Sequence, residues 1–120
     1  MEKQNNNTKK IAIPISEGKM CLHFGHCENF ALMEVDTEAK TIINKTELTP
    51  PPHEPGVLPR WLSEQGTDII IAGGMGMRAQ QFFKQYNIDV MVGAPPDTPE
   101  NLVLNYMNDT LHLGDNVCDH

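Results

Sequence analysis

The sequence predicts an α/β protein of three layers, with a mixed five-stranded sheet flanked by helices. Two continuous apolar runs, TDIIIAGG (67–74) and IDVMVGA (88–94), are typical of strands buried on both faces, and a helical pattern separates them. This strand–helix–strand order indicates parallel pairing, while alternating patterns earlier in the chain indicate antiparallel neighbours. We therefore expect a mixed sheet with helices packed against it.

The antiparallel part of the sheet is predicted in the first half of the chain. Residues 10–16, KIAIPIS, are apolar and β-branched, which favours a first strand. Residues 29–36 and 40–48 alternate apolar and polar positions around a turn at DTEAK, which predicts a hairpin. Residues 49–56 contain four prolines in eight positions and predict a connector without regular structure.

Three helices are predicted after this connector. Residues 57–66 place apolar side chains on one helical face, with Pro59 in the first turn and Gly66 as a stop. Residues 77–87 predict a second helix, and residues 98–111 predict a third that begins with a Thr-Pro-Glu cap. The side chains expected to face inward in the first two helices are Val57, Leu58, Trp61, Leu62, Ala79, Phe82, Phe83 and Tyr86.

Length and composition limit the class of protein. The 120 residues are expected to form one domain over residues 10–111, between a disordered lead-in (1–9) and a polar Cys/His tail (112–120). The net charge of −7 disfavours nucleic acid as a partner, because an acidic surface repels phosphates. There is no apolar stretch of membrane-spanning length and no apolar signal region, so we expect a cytoplasmic protein without a membrane partner.

Soft and imidazole donors are concentrated in one loop, MCLHFGHCENF (20–30). Zinc, iron and copper all accept thiolate and imidazole ligands. The side chains of adjacent residues diverge, so two or three of the four donors are expected to bind one metal. These candidate metal ligands lie within seven positions, and they are Cys21, His23, His26 and Cys27.

Further candidate ligands lie in the connector and in the tail. Cys118 and His120 repeat the Cys-x-His spacing of the loop, and His53 lies among the prolines. An odd number of cysteines excludes full internal pairing, which favours thiols or metal ligands over disulfides in a reducing compartment. The alternative is that these histidines are solvated and that the tail has no fixed structure; His112 is expected to be a surface residue.

A glycine-rich loop, GGMGMRA (73–79), joins a predicted buried strand to a helix. Ligands bind at the carboxyl ends of strands in open α/β sheets, and free amides at a helix N-terminus suit an anion. The loop formally matches a dinucleotide fingerprint, but no acidic residue follows the next strand, so another anion or a cluster is favoured. A tight structural turn is the alternative, and methionines in such loops usually fill packing gaps. The candidate ligand-binding residues here are Gly73, Gly74, Met75, Gly76, Met77 and Arg78.

Catalysis has less support than binding. A Cys–His nucleophile pair needs an orienting third group and an oxyanion site, and the sequence indicates neither. A metal-dependent nuclease needs clustered carboxylates, whereas Asp36, Asp68 and Asp89 are scattered along the chain.

Three stretches together resemble the dinitrogenase iron–molybdenum cofactor biosynthesis family, which includes NifX-like carriers, the tail domain of NifB and the orange protein. They are HFGHCENFALMEVD, HEPGVLPRWLSEQGTDIIIAGGMGMRAQQFF and IDVMVGA. The resemblance covers about residues 10–111 and implies a ribonuclease H-like motif. In this resemblance His23 matches the HFG histidine, His53 matches a histidine before the first helix, and 73–79 matches the glycine loop.

The resemblance also implies a function, a cofactor and a partner. The cofactor would be a metal–sulfur cluster of iron, with or without molybdenum, or else a single transition metal such as zinc. The partner would be an Mrp-type iron–sulfur ATPase or a cluster-recipient protein. Our leading hypothesis is a non-enzymatic, cytoplasmic carrier of metal–sulfur clusters, monomeric or weakly dimeric. A protein with a structural zinc site and a regulatory or docking role is the alternative, and a ribonuclease H-like nuclease is a more remote one.

Overall fold

A computed structural model describes residues 8–21, 27–52 and 56–114. Within these ranges six strands share one sheet, and three helices pack against it. The strands are β1 (Thr8–Ser16), β2 (Lys19–Met20), β3 (Asn29–Asp36), β4 (Thr41–Leu48), β5 (Ile69–Ile71) and β6 (Asp89–Met91). The helices are α1 (Val57–Glu64), α2 (Met77–Gln85) and α3 (Pro99–Met107).

The sheet is mixed, as predicted. Its order is β4-β3-β1-β5-β6, with β1, β5 and β6 parallel to one another and β3 and β4 antiparallel to their neighbours. The predicted five-stranded path is therefore confirmed, together with the α/β class. The sixth strand, β2, pairs with the end of β1 and was missed, because two residues are too few to show a periodic pattern. The ribonuclease H-like label stays a prediction.

Each face of the sheet has its own apolar core, which gives the three layers. Alternate residues of a strand point to opposite faces. Ile11 and Ile13 accordingly pack with α3, while Ala12 packs with α1 and α2. The largest side chains of the α1/α2 core include Leu62 and Phe83, both fully buried. Burying side chains of this size contributes about 1.5–3 kcal/mol each.

Helix ends follow the sequence signals. The Thr98 side chain caps α3 by accepting a hydrogen bond from the Asn101 amide at 3.2 Å, with proline at the first helical position, as predicted. Helix α1 ends at Glu64, and Gly66 follows with a φ of +85°, a left-handed conformation that favours glycine. The start of α3 is therefore where its cap predicts it, whereas α3 ends at Met107, four residues before the predicted end at 111.

Four details differ from the predictions. Tyr86 is 37% exposed rather than inward, because α2 ends one residue before it. The run 67–74 contributes only three residues of strand, and 88–94 likewise. Strand β6 is not buried on both faces, because it ends the sheet order; Asp89 is exposed.

The first strand begins earlier than predicted. Thr8 pairs with Asp36 and Lys9 with Val35, so two residues assigned to the lead-in belong to β1. The rest of the lead-in, residues 1–7, lies outside the described residues. The longest helices described have nine residues, and no described helix is long and apolar enough to span a membrane.

Candidate functional site

Three loops meet at the carboxyl edge of the parallel strands. Because β1, β5 and β6 run in the same direction, the segments that follow them emerge at one edge of the sheet. These segments are the residues from the end of β1 to Cys21, the glycine loop after β5 and the connection from β6 to α3. This edge is where the two described candidate cysteines lie.

Strand β2 lies on the β5 side of β1. Ile15 pairs with Asn29 of β3 and also with Met20 of β2, so β2 and β3 flank opposite sides of β1. Strand β5 also pairs with β1 on the side away from β3. The chain that leaves β2 therefore lies in line with β5, close to the glycine loop.

Cys21 directly follows β2 and is held by backbone hydrogen bonds. Its amide donates to the Pro14 carbonyl at 2.8 Å, and the preceding Met20 amide donates to the Asp97 carbonyl at 2.9 Å. These bonds tie Cys21 both to β1 and to the loop after β6. Its side chain is half-buried and packs against the α1/α2 core.

Cys27 lies on the same face of the sheet but deeper. The Glu28 amide donates to the Ile15 carbonyl at 3.1 Å, which anchors the end of the loop on β1. The Cys27 side chain is only 8% exposed and belongs to the same core cluster as Phe30 and Met75. The two cysteines therefore frame the loop, one buried and one reachable from solvent.

Burial and a neighbouring thiol both act on Cys27. The pKa of Cys27 is raised from 9.0 to about 12, chiefly because burial disfavours the charged thiolate. The charge of Cys21 is the second cause of this rise, and a backbone hydrogen bond partly opposes it. Electrostatic coupling of this kind requires that the two sulfur atoms lie near each other. A metal cation bound between them would reverse the preference, because it favours the thiolate forms.

The glycine loop continues the β5–β6 pairing beyond the regular strands. The Gly93 amide donates to the Gly73 carbonyl at 2.9 Å, and the Ala72 amide donates to the Met91 carbonyl at 2.8 Å. The Gln80 side-chain amide then donates to the Met75 carbonyl at 2.9 Å, which ties the loop to α2. Two backbone hydrogen bonds and one from the Gln80 side chain thus hold the loop in place, and its Met75 shares the α1/α2 core with Cys21.

The N-terminus of α2 opens beside the same loop. Gly76 occupies the N-cap and has no side chain to accept from the first amides, and α2 has no acidic residue in its first turn. Met77 and Arg78, the first two helical residues, are exposed. Free amides and the positive end of the helix dipole suit an anionic ligand.

The structure brings together some of the predicted site residues. Cys21, Cys27 and Met75 share one core cluster, while Gly76, Met77 and Arg78 lie exposed at the start of α2. Met75 is fully buried, so its thioether is a packing group, and His112 is exposed as expected. The remaining predicted metal ligands lie outside the described residues, and they are His23, His26, His53, Cys118 and His120.

A feature that the sequence analysis missed is a close contact between Gly93 and Gly114. The Gly114 amide donates to the Gly93 carbonyl at 2.7 Å, and Gly93 has a φ of +88°. The glycine in VGA, directly after an apolar run, was the one available signal. The contact holds Gly114 against the segment that follows β6.

The described cysteines do not complete a metal site by themselves. In the ranges 8–21, 27–52 and 56–114, no three His, Cys, Asp or Glu side chains form a group that could hold a metal ion. Cys21 and Cys27 are two soft side chains, one fewer than such a group requires.

The structure is therefore an α/β domain that has a pair of thiols next to a glycine loop, at the carboxyl edge of its parallel strands. The family model for dinitrogenase iron–molybdenum cofactor matches residues 7–109. The chain belongs to this family, which confirms the resemblance inferred from the sequence.

One protein sequence and two solved structures are similar to this chain. The uncharacterized protein MJ0580 of Methanocaldococcus jannaschii is 32% identical over 84 residues, which span 68% of this chain and 71% of that protein. The crystal structure of PH0822 has a TM-score of 0.79 at 22% identity and covers 87% of this chain and 93% of that one. The apo form of the orange protein from Desulfovibrio gigas has a TM-score of 0.69 at 18% identity and covers 90% and 94%. At these identities the two structures establish the shared fold.

Proposed function

We propose that this protein binds a metal–sulfur cluster at the carboxyl edge of its sheet and carries it without catalysing a reaction. The observation that supports the proposal is the placement of Cys21 and Cys27 on one face, beside the glycine loop. Membership of the dinitrogenase iron–molybdenum cofactor family favours a cofactor-related cargo. The cargo would contain iron, with or without molybdenum, and the protein would transport it.

The two cysteines would have different roles in capture. Cys21 is half-buried, so an arriving cluster can reach its sulfur first. Cys27 is buried, and its raised pKa means that its thiol loses the proton less readily, so it would bind second. Ligation by Cys27 would then place one side of the cluster in a dry environment, which protects it from hydrolysis.

The glycine loop and the start of α2 would hold the anionic part of the cargo. Backbone amides of the glycine loop and the first turn of α2 are suitable partners for bridging or terminal sulfides. The exposed Arg78 side chain adds a positive charge at this end of the helix. His23, His26 and His53 are proposed as further ligands or as shields of the cluster.

A nuclease-like reaction has little support from the carboxylates. Asp36 accepts two backbone hydrogen bonds in its turn, and Asp68 accepts one from the Lys10 amide. Both lie at the amino edge of the parallel strands, opposite the cysteines. Their hydrogen bonds assign them to turns and strand ends. The partner that supplies or receives the cargo is proposed to be an Mrp-type ATPase or a cluster-recipient protein, on the family resemblance.

Anaerobic reconstitution tests the proposal. The protein would be incubated with ferrous iron and sulfide, with and without tetrathiomolybdate, and followed by its visible spectrum and by elemental analysis. We expect a coloured protein, with the colour lost in the double variant Cys21→Ser/Cys27→Ser while circular dichroism shows an intact fold. Met33→Leu is the matched control, because it removes a fully buried sulfur from the opposite core.

Two results would contradict the carrier function. Full colour in the double variant would remove the cysteines from the site. A colourless protein that binds one zinc ion per chain, and that fails to take up iron and sulfide, would favour the structural zinc site instead.

A further inference from the structure

Strand β6 leaves one side of its backbone open. Among the described residues β5 is its only neighbour, and β6 ends the sheet order. The Asp89 amide donates to the Asp68 carbonyl at 3.0 Å. The Met91 carbonyl accepts from the Ala72 amide at 2.8 Å, so Asp89 and Met91 both face β5. Since alternate residues of a strand direct their backbone groups to opposite sides, Val90 turns its N–H and C=O to the open side, where no described residue bonds them.

A groove follows this open edge on the face of the sheet that carries α2. It has a volume of about 390 Å³ and lies between one side of α2 and β6. Val90 contributes to its apolar floor, and Met77, which is 59% exposed, lies at its rim. Lys84 is the cation of this groove, and its ammonium group forms no ion pair with any described residue. The groove therefore suits an acidic side chain with an apolar stem.

A second groove follows the same edge on the opposite face, which carries α3. It has a volume of about 230 Å³, and Met91 and the 47% exposed Leu113 make part of it apolar. Tyr106 and Asp109 also line it. Burial, and then the charges of Asp89 and Asp109, raise the pKa of Tyr106, so both carboxylates lie near its ring. This groove therefore suits a basic side chain.

We propose that the open edge of β6 binds an extended segment of a partner protein, which adds a strand to the sheet. Neighbouring residues of a strand point to opposite faces, so successive side chains of the segment would enter the two grooves in turn. The segment would carry an acidic residue that faces Lys84. Directly beside it in the sequence would be a basic residue, which faces Asp89 and Asp109.

A second copy of the chain fits this edge less well than such a segment. Each copy carries a net charge of −7, so two copies repel each other. Strand β6 has only three residues, whereas a stable dimer buries about 800 Å² on each partner. The charges of the two grooves also differ in sign, which a segment with both charges complements.

The other edge of the sheet is less open to strand addition. The pairing of β4 with β3 shifts register between Glu34 and Val35, which marks a bulge in this edge. Lys45 lies in the middle of β4 and forms an ion pair with Glu100 at 2.8 Å. Bulges and lysines are features that discourage edge pairing, so β6 is the edge that remains available.

A segment bound at β6 would lie close to the candidate functional site. Met77 belongs both to the groove and to the end of the glycine loop, where α2 begins. A partner anchored in the groove would therefore approach the carboxyl edge of the sheet. The binding of the segment does not depend on which cargo the protein carries, so each proposal can fail without the other.

Amide hydrogen exchange, followed by NMR, tests whether the edge is open. In the protein alone we expect the Val90 amide to exchange rapidly and the Asp89 amide, which is bonded to Asp68, to be protected. Protection of Val90 in the protein alone would mean that the chain itself covers the edge. Protection that increases with protein concentration would mean that a second copy does. Either result would overturn the proposal.

Synthetic peptides of about seven residues, the length of an ordinary strand, serve as the partner. They are rich in valine and threonine, which favour an extended chain, and carry glutamate and lysine side by side at the centre, in either order. We expect one order to bind with a Kd of about 1 mM or lower, to protect the Val90 amide and to shift the signals of Met77 and Leu113. A peptide with one residue between the two charges places both on one face and should bind about fivefold more weakly. No change at Val90 with either order at about 10 mM would overturn the proposal.

Charge reversal at Lys84 tests the assigned groove. Lys84→Glu should weaken the better peptide about fivefold, and a peptide with lysine in place of its glutamate should bind this variant more tightly than it binds the wild type. Lys40→Glu is the matched control, because it makes the same change at an exposed position beside β4, at the far side of the sheet. Equal affinity of the better peptide for Lys84→Glu and for the wild type would overturn the proposal.

Proline at position 90 tests the backbone contact itself. Val90→Pro removes the N–H on the open side and none of the amides that face β5, a position where edge strands accept proline. Peptide binding should be lost in this variant while circular dichroism shows an intact fold. Undiminished binding in a folded Val90→Pro would overturn strand addition, and Lys84→Glu decides the question if the proline variant does not fold.

Discussion

The Cys27 thiol should be nearly inert in the folded, metal-free protein. The perturbation is alkylation of the reduced chain by iodoacetamide at about pH 8, where only the thiolate attacks. A thiol with its ordinary pKa of 9.0 is about one-tenth ionised at this pH, whereas a pKa of about 12 leaves roughly one in ten thousand ionised. Ionisation alone therefore slows the reaction of Cys27 by about a thousandfold, and burial of its sulfur slows it further.

The assay is a time course of peptide mass spectrometry that follows each cysteine separately. The same chain unfolded in urea is the reference for an unhindered Cys27. Cys21→Ser is the matched variant, because it removes the second cause of the raised pKa but leaves the larger cause, burial, in place. Cys27 should react somewhat faster in that variant and still far more slowly than in urea. Alkylation of folded Cys27 within about tenfold of its rate in urea would refute the burial and the pKa argument together.

Three further predictions concern stability and can be measured by urea unfolding. Between pH 9.0 and about 12 the unfolded chain releases the Cys27 proton and the folded chain keeps it, so the free energy of unfolding should fall by up to about 1.4 kcal/mol per pH unit. Cys27→Ser should remove this pH dependence, and an identical pH slope in the variant would contradict the prediction. Phe83→Ala should lower the free energy of unfolding by about 3–5 kcal/mol because the ring is fully buried, while Tyr86→Ala should lower it by under about 1 kcal/mol. Comparable losses in the two variants would contradict the assigned packing of α2. Thr98→Ala should lower the free energy of unfolding by about 1 kcal/mol because it removes the α3 cap, whereas Thr98→Ser should keep most of this stability. An equal loss in Thr98→Ser would mean that the hydroxyl group is not its source.

Local chemistry was sufficient to predict most of the fold. The β3–β4 hairpin follows from alternation and from a turn that Asp36 stabilises through two hydrogen bonds to backbone amides, and α3 follows from its Thr-Pro cap. The end of α2 was harder to place, because the apolar spacing continues to Tyr86 while the backbone turns at Asn87, whose φ is +61°. Strand length was overestimated at 67–74, because an apolar run does not show where its hydrogen-bonded partner ends.

In the candidate site, too, the features set by neighbouring residues could be predicted from the sequence, and those set by distant residues could not. Cys21 and Cys27 are close in sequence, so their proximity in space could be inferred from a short loop. The burial of Cys27, however, depends also on Met75 of the glycine loop, which is far from it in the sequence. The contact between Gly93 and Gly114 could not be inferred, since glycine has no side chain to leave a periodic pattern. That missing side chain is also what lets the two backbones meet, and the meeting point lies at the edge that holds the thiols. A Cβ atom on Gly93 would lie 2.1 Å from the Gly114 carbonyl oxygen, whereas one on Gly114 would lie 3.7 Å from the Gly93 carbonyl oxygen, so Gly93→Ala should lower the free energy of unfolding in urea more than Gly114→Ala.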